Sequence, residues 1–403
     1  MALYTSMIFG IGLGVIVSVI NTRLLGPEKY GDFRFIYGVY SFFALIIHFG
    51  LFSSVGRLLA DRKNDSIRKE LIGSSIILTS VIGVVFSLLM FSFAFFQSHL
   101  FARDLSAIFF ILAPLFFFVP AKISFENVFQ GENRIYELAF FRQGPQFFYI
   151  IISLILYKLN LFNLVNCLIV QLLTLGSLAF FLSLRLKPEF ANIKLHLKEI
   201  FTENKSYGFH VYIGSLFGVA STHFGPILLS YFSLDNVDVG YFSLALMSAM
   251  PLALIPSIAG TTMFKEFANR NRIPAKVTYV TLSISAGTLV LFFLLIKPAV
   301  FLLYTKDFAG VIPLAYIVAF AQIFHGFGDY HNKFLGAHGQ GKKMRNGAIA
   351  VGVSNLIGFV TLVPFFGALG AAYTKLFSGI IYTSSMVYFY KKYVRSLEHM
   401  TIN

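Results

Sequence analysis

Charge is scarce in this chain. Asp, Glu, Lys and Arg make up 12% of its 403 residues, and 57% are apolar; an ordinary soluble domain carries about 25% charged residues. So much apolar surface cannot be hidden in one water-soluble core. An ordinary cytosolic enzyme and a disordered chain are both excluded. Cysteine is nearly missing: Cys167 stands alone, which rules out an intrachain disulfide and any multi-cysteine metal site. Tryptophan is absent, so the 20 Tyr must supply any interfacial belt, and the 49 Phe read as lipid-facing and packing groups. No reactive signature is found either: no HExxH, no GxSxG and no phosphate-binding glycine loop ending in GK[ST]. The expectation is that the protein is not an enzyme and has no cofactor. Without an ATP-binding element, uphill movement would have to draw on an ion gradient or on the substrate's own gradient.

What the chain does have is long apolar runs. A membrane helix needs about 20 mostly apolar residues. Twelve runs are predicted: Leu3–Leu24, Phe33–Gly56, Leu71–Phe96, Leu105–Phe125, Glu137–Tyr157, Leu161–Leu184, Gly208–Phe232, Val239–Met263, Val277–Ile296, Gly310–Tyr330, Gly347–Phe366 and Leu369–Tyr390. The fold class expected is an all-α polytopic membrane protein. Only Gly367–Ala368 separates the last two runs, which predicts a tight helical hairpin. The first run lacks the basic start and small-residue cleavage site of a signal peptide and reads as a true span.

The net charge of +14 is distributed by loop. Alternate connections hold 24 of the 32 basic residues, beginning with Arg57, Arg62, Lys63, Arg68 and Lys69 and ending with Lys391, Lys392 and Arg395. Basic loops stay in the cytoplasm, so both termini are expected there. Topology thus accounts for most of the charge, and nucleic acid is not an expected partner.

An internal repeat divides the chain. YGDFRFIYGVYSFFALI from Tyr30 aligns with VGYFSLALMSAMPLALI from Val239 at an offset of 209, pairing Gly31 with Gly240, Phe33 with Phe242 and Ala44 with Ala253. Six spans per copy is an even number, so both halves would insert with the same orientation, related by an axis along the membrane normal. The expected domains are a six-helix N-terminal lobe with a cytoplasmic linker over residues 1–200 and a six-helix C-terminal lobe over 201–403. Two such lobes suit a transporter that opens to each side of the membrane in turn.

Ionisable residues inside spans are expensive and therefore informative. Lys122 and Glu126 stand one turn apart and are expected either to neutralise each other or to handle substrate and ions. Arg142 sits a turn or so into helix five, where snorkelling to the cytoplasmic surface is the alternative. Arg23 and Arg34 flank the first outer turn, and Lys375 lies inside the last span. Asp329 is placed to pair with Lys333 at i+4. His325, His331 and His338 straddle a helix end and a loop and do not read as a metal site. Taken together, Arg23, Arg34, Arg142, Lys375 and Lys122 are candidate cations for an anionic substrate, since Arg grips a phosphate through two parallel hydrogen bonds and Lys acts as a point charge. Glu126 and Asp329 are the candidates for proton or sodium coupling.

At NTRLLGPEKYGDFRF (Asn21–Phe35) the sequence resembles the Wzx-type polysaccharide transporters, flippases of lipid-linked oligosaccharides. Their superfamily also holds the multidrug and toxin extruders (MATE) and the peptidoglycan lipid flippases. HFGLFSSVGRLLA (His48–Ala60) and DVGYFSLA (Asp238–Ala245) resemble the same family. The resemblance implies a multi-pass protein of the bacterial inner membrane that carries an undecaprenyl-diphosphate-linked O-antigen or capsule repeat unit from the cytoplasmic to the periplasmic leaflet. It implies membrane lipids as partners, and a polysaccharide polymerase and chain-length complex downstream. Arg23 alone carries over by motif, preceding Leu-Leu-Gly as the family's Arg does. The absence of Trp would leave sugar contacts to Tyr and Phe. Three alternatives remain at this stage, one of them a non-transporting lipid scaffold, which would tolerate loss of every buried charge. A MATE-type drug antiporter would want a net acidic cavity, and a membrane polymerase or ligase would want a large outer loop, which this sequence lacks.

Overall fold

The computed structural model describes residues 2–216 and 221–402; the middle of the predicted seventh span, residues 217–220, lies outside them. The chain divides into two compact units, Met1–Leu216 and Phe217–Asn403. Among the described residues the secondary structure is helical, with no strand. Among the described residues, eight helices are long and apolar enough to cross a membrane, or nine if one pair bent by 61° is a single span. This makes the protein a multi-pass membrane protein.

The first unit is built from α1 (Ala2–Ile47), α2 (Leu51–Asp61), α3 (Asp65–Leu100), α4 (Ser106–Leu112), α5 (Val119–Gly131), α6 (Ile135–Lys158), α7 (Leu164–Arg185), α8 (Ile193–Glu203) and α9 (Phe209–Ser215). The second contains α10 (Ser221–Phe232), α11 (Val237–Thr262), α12 (Phe264–Phe267), α13 (Ala275–Leu303), α14 (Val311–Ala337) and α15 (Gly341–Ile402).

Two of these helices fold back on themselves. In α15 the turn is at Gly367, with φ +54° and ψ −131°. Gly358 lies against the side chain of Thr374, and Gly347 against Met386. Sixteen residues of straight helix would put Gly358 and Thr374 about 24 Å apart, so the two arms run antiparallel and the hairpin expected at Gly367–Ala368 is present. In α1 the break is at Gly26, with φ +73°, and Pro27 follows it. Tyr149 donates a hydrogen bond to Asn21 Oδ1 at 2.5 Å and lies within electrostatic reach of Tyr40; straight helix would separate Asn21 from Tyr40 by about 28 Å. At positive φ a side chain meets its own backbone. Gly367→Val is expected to destabilise the protein by about 1–3 kcal/mol, read as a lower thermal midpoint in detergent; an unchanged midpoint would mean that the turn does not depend on glycine.

The bent pair is α4 with the segment 115–131. Pro114 sits at the bend and cannot donate the helical hydrogen bond there. In the first unit the packing core includes Phe125, Phe129, Phe141, Leu182 and Ile200. In the second unit Phe267, Tyr330 and Phe334 form a core, with a neighbouring group around Leu335, Tyr382 and Met386. Phe95, Phe180, Leu294 and Leu302 project outward. In lipid such residues lose nothing by exposure, and close approach of small residues does more to hold helices together; Gly326 packs directly on the backbone of Ala253.

The predicted basic loop Arg57–Lys69 is largely ion-paired. Arg57 pairs with Glu203 at 3.1 Å and Arg62 with Glu199 at 3.0 Å. Arg68 grips Glu132 with two hydrogen bonds, one of 2.8 Å from Nε and one from Nη2. Lys69 lies 3.9 Å from Glu189. The pairs to Glu199 and Glu203 hold α8 against α2 and the segment after it, and residues 201–216 follow: Asn204 bonds to Ser54 and to the Phe49 carbonyl, and Tyr212 to the Ile46 carbonyl. At the other end of the unit, Arg103 pairs with Glu28 at 2.8 Å and with the buried Asp32 at 3.3 Å. In the same loop the Ser106 hydroxyl and N–H hold the Asp104 carboxyl below the usual carboxylate range.

Candidate functional site

The first unit gathers ionisable groups from three helices. Along the second arm of α1, Arg34, Tyr37 and Tyr40 recur every three residues and share one side of the helix. The Arg34 guanidinium lies over the Tyr37 ring at 5.2 Å, and the rings of Tyr37 and Tyr40 meet edge to face at 5.2 Å. On α5, Lys122 faces Tyr37 closely enough for the two to interact electrostatically. One turn further, Glu126 is taken by α6: its Oε2 accepts from Arg142 Nε at 3.0 Å and from Nη2 at 2.7 Å.

Glu126 therefore pairs with Arg142 and not, as the i+4 spacing suggested, with Lys122. Arg142 does not snorkel away from the cluster; a third of its side chain is exposed, against 23% for Glu126. Lys122 is exposed, and Arg34 is half-buried with its Nε shielded and lacking a hydrogen-bond partner. Neither Lys122 nor Arg34 makes an ion pair among the described residues. Three cations (Arg34, Lys122, Arg142) against one carboxylate (Glu126) leave a net charge of +2. Arg23 is exposed on the first arm of α1, one turn before Gly26.

The second unit holds a smaller group. His325 and Asp329 stand one turn apart on α14, facing Tyr382 on the second arm of α15. Tyr382 stacks on the His325 ring at 4.8 Å and donates to Asp329 Oδ1 at 3.0 Å. Asp329 does not pair with Lys333, because the stem of Lys333 turns the other way and packs on Gly260 of α11. Lys375 is half-buried on the second arm of α15 and unpaired among the described residues. No group of three or more His, Cys, Asp or Glu able to hold a metal ion occurs among the described residues.

A sequence profile described as polysaccharide biosynthesis protein matches residues 1–264, about two thirds of the chain. The chain belongs to the polysaccharide biosynthesis protein family. This family member is 22% identical over 408 residues to an uncharacterized membrane protein of Methanocaldococcus jannaschii, the match covering 92% of this chain and 79% of the relative. Its fold is similar to that of the lipid II flippase MurJ in an inward closed conformation, with a TM-score of 0.78 and 17% identity over 96% of this chain and 87% of MurJ. It is also similar to an inward-facing multidrug resistance MATE family transporter of the MOP superfamily, with a TM-score of 0.74 and 14% identity over 96% of both chains. The family and the fold class expected from the sequence are thus established for this polysaccharide biosynthesis protein.

Sequence reasoning missed Tyr37, Tyr40 and Tyr382, the rings that hold the ionisable groups in place. The three-residue spacing of Arg34, Tyr37 and Tyr40 was a readable signal for the first two; nothing local points to Tyr382. The Arg142–Glu126 pair makes a specific expectation for this family member. Arg142→Ala removes a cation and also leaves Glu126 without its partner, so the local charge falls from +2 to +1 and the remaining carboxylate repels an anion. Arg142→Ala/Glu126→Ala restores the net charge of +2 and removes that carboxylate. The double variant is expected to retain more transport than the single one, at least several-fold; equal loss in both would contradict the assigned pairing.

Proposed function

We propose that this protein is a flippase that moves an isoprenoid-diphosphate-linked oligosaccharide, such as an O-antigen or capsule repeat unit, from the cytoplasmic to the periplasmic leaflet of a bacterial inner membrane. In this reading twelve passes leave both termini in the cytoplasm. The observation that carries the proposal is the net +2 cluster of α1, α5 and α6, in which neither Arg34 nor Lys122 makes an ion pair among the described residues. A charged group at membrane depth is costly, and two uncompensated cations suit a ligand of opposite charge. A diphosphate carries about the charge needed and can accept charge-assisted hydrogen bonds from both Arg and Lys. Tyr37 beside these cations supplies a flat surface for a sugar, in a chain without Trp. The lipid tail need not leave the bilayer.

The drug-antiporter reading is disfavoured by the same residues. The cluster's one carboxylate, Glu126, is already neutralised by Arg142, which leaves nothing to attract a cation. The family assignment supports a role in polysaccharide synthesis, and the likeness to MurJ supports a fold suited to a lipid-linked substrate.

The test is reconstitution into liposomes with a fluorescent isoprenyl-diphosphate saccharide placed in the outer leaflet. Protein-dependent protection from a membrane-impermeant quencher is the expected result. No protection beyond protein-free liposomes, combined with protein-dependent efflux of cationic dyes, would transfer the assignment to the antiporter class.

A further inference from the structure

At one end of the second unit, the close of α14, the start of α15 and Phe264 of α12 border a cavity of about 370 Å³, a volume that suits a small ligand. Lys343 Nζ lies 4.6 Å over the ring of Tyr393, so this is also the end at which the C-terminus lies. In the flippase reading it faces the cytoplasm.

The walls of the cavity differ from an ordinary packing gap in three ways. The first is glycine. Gly336 and Gly341 line it, both are helical and neither has a positive φ. A Cβ on Gly336 would meet Met344 and Phe264 no closer than 3.5 Å, and one on Gly341 would meet nothing within 4 Å. Neither backbone conformation nor close packing calls for glycine at these positions, and glycine is a poor helix former. What the missing side chains provide is room.

The second is charge. Lys333 lines the cavity, its stem packed against Gly260, and it makes no ion pair among the described residues. Segments 264–272 and 332–345 around it carry Lys265, Lys342 and Arg345 but a single carboxylate, Glu266. Arg270 takes that carboxylate at 2.6 Å. Asp329, one turn before Lys333, is turned to Tyr382. Membrane orientation accounts for basic residues in an exposed loop, but not for a lysine in the wall of a cavity.

The third is an orphaned acceptor. Tyr382 has one hydroxyl hydrogen and gives it to the Asp329 carboxylate at 3.0 Å, so its 3.1 Å bond with Asn332 must come from the amide Nδ2. Asn332 Oδ1 is thereby left buried without a partner, in a residue that lines the cavity. A buried acceptor of this kind costs free energy until a donor reaches it. A simple anion would answer Lys333 and leave Asn332 Oδ1 unmatched. A ligand that answers both carries negative charge and a hydrogen-bond donor. Phe264 and Met344 add an apolar wall for its carbon atoms.

We propose that this cavity binds a phosphate ester of a polyol, with the phosphate at Lys333, a free hydroxyl donating to Asn332 Oδ1 and the carbon skeleton against Phe264 and Met344. Phosphate takes charge-assisted hydrogen bonds from an ammonium, and its three free oxygens suit a surplus of donors better than the two of a carboxylate. The first turn of α15, at Gly341, adds the positive end of a helix dipole. The site shares no residue with the cluster of α1, α5 and α6 and does not depend on the flippase reading. Two sources offer this chemistry: a soluble glycerol or sugar phosphate, and the headgroup of phosphatidylglycerol in the surrounding leaflet.

The experiment is equilibrium binding of radiolabelled glycerol 3-phosphate to the full-length protein in phosphatidylcholine nanodiscs. Saturable binding is expected for a soluble occupant. In competition, ethyl phosphate, which lacks the hydroxyls, and glycerate, which lacks the phosphate, should both be weaker. Lys333→Gln should weaken binding about tenfold or more, and Asn332→Ala should erase the preference over ethyl phosphate. Gly336→Leu should block the site by filling it. Unchanged thermal midpoints check that the variants fold. If Gly336→Leu does not fold, Gly336→Ala, whose Cβ fits at 3.5 Å, takes its place, with a severalfold loss expected. Native mass spectrometry of protein released from discs of mixed phosphatidylcholine and phosphatidylglycerol distinguishes the sources. Retention of phosphatidylglycerol that falls in Lys333→Gln and Gly336→Leu identifies the lipid headgroup; saturable soluble binding without such retention identifies the free ester. Neither result, or either of them unchanged in both variants, overturns the proposal. Glycerate binding as tightly as glycerol 3-phosphate overturns the assignment to phosphate.

Discussion

Arg34→Ala/Lys122→Ala is expected to abolish polysaccharide export at matched protein levels. Within the cluster, these two cations lack an ion pair among the described residues, and their removal takes the cluster from +2 to zero. A hydrogen bond to a charged group contributes about 1.5–3 kcal/mol, and each 1.4 kcal/mol is a factor of about ten. Losing both contacts should weaken headgroup binding by a hundredfold or more, and losing one by about tenfold. Charge-retaining variants separate electrostatics from packing. Lys122→Arg should keep most activity, whereas Lys122→Met, similar in bulk but uncharged, should behave like Lys122→Ala. Surface polysaccharide measured in a deletion strain complemented with each variant is the readout. Normal export from the double alanine variant would remove both residues from the site. The folding of that variant is a fair expectation, because Lys122 is exposed and Arg34 holds no carboxylate in place.

A second large effect is expected far from the site, at Arg68→Ala. Glu132 is only 5% exposed and takes two hydrogen bonds from the Arg68 guanidinium. Deleting the arginine leaves a nearly buried carboxylate without its counter-ion, a change that typically costs about 3 kcal/mol. Arg68 is about a quarter exposed, so solvent softens the loss relative to a deep pair. Thermal unfolding in detergent should fall by several degrees, and Arg68→Lys should recover only part, since a single ammonium cannot reproduce the two-point grip. Arg68→Ala/Glu132→Gln should sit closer to wild type than Arg68→Ala. If the double variant is no better than the single, the pair is not what holds α3 to the end of α5. Impaired export in Arg68→Ala is then expected to track the amount of folded protein, unlike that of Arg34→Ala/Lys122→Ala.

Much of the fold was readable because the bilayer imposes simple demands. Apolar runs long enough to span it mark the helices, and Gly367–Ala368 between two such runs could be little other than a turn. The family motif around Arg23–Gly31 also lay in plain view. The site was less readable, and the reason is specific. Spacing on one helix says which side chains are able to meet, but not which way they turn. Lys122 and Glu126 are correctly spaced for a pair, yet Lys122 turns to Tyr37 on α1 and Glu126 to Arg142 on α6. Asp329 and Lys333 fail in the same way: Gly260 leaves room on α11 for the lysine stem, and the carboxylate finds Tyr382, 53 residues on. Partners across helices depend on the packing of the unit, which no local pattern records. The cations themselves were found because charge inside an apolar run stands out whatever its direction.

The central claim is that the positive cluster of α1, α5 and α6 receives a diphosphate. Binding of farnesyl diphosphate, farnesyl phosphate and farnesol to the protein in nanodiscs tests it most directly. The expected order is diphosphate tightest, monophosphate weaker and alcohol weakest, with the diphosphate preference falling as salt rises and vanishing in Arg34→Ala/Lys122→Ala. Equal affinity for diphosphate and alcohol, or a preference that survives loss of both cations, would contradict the account.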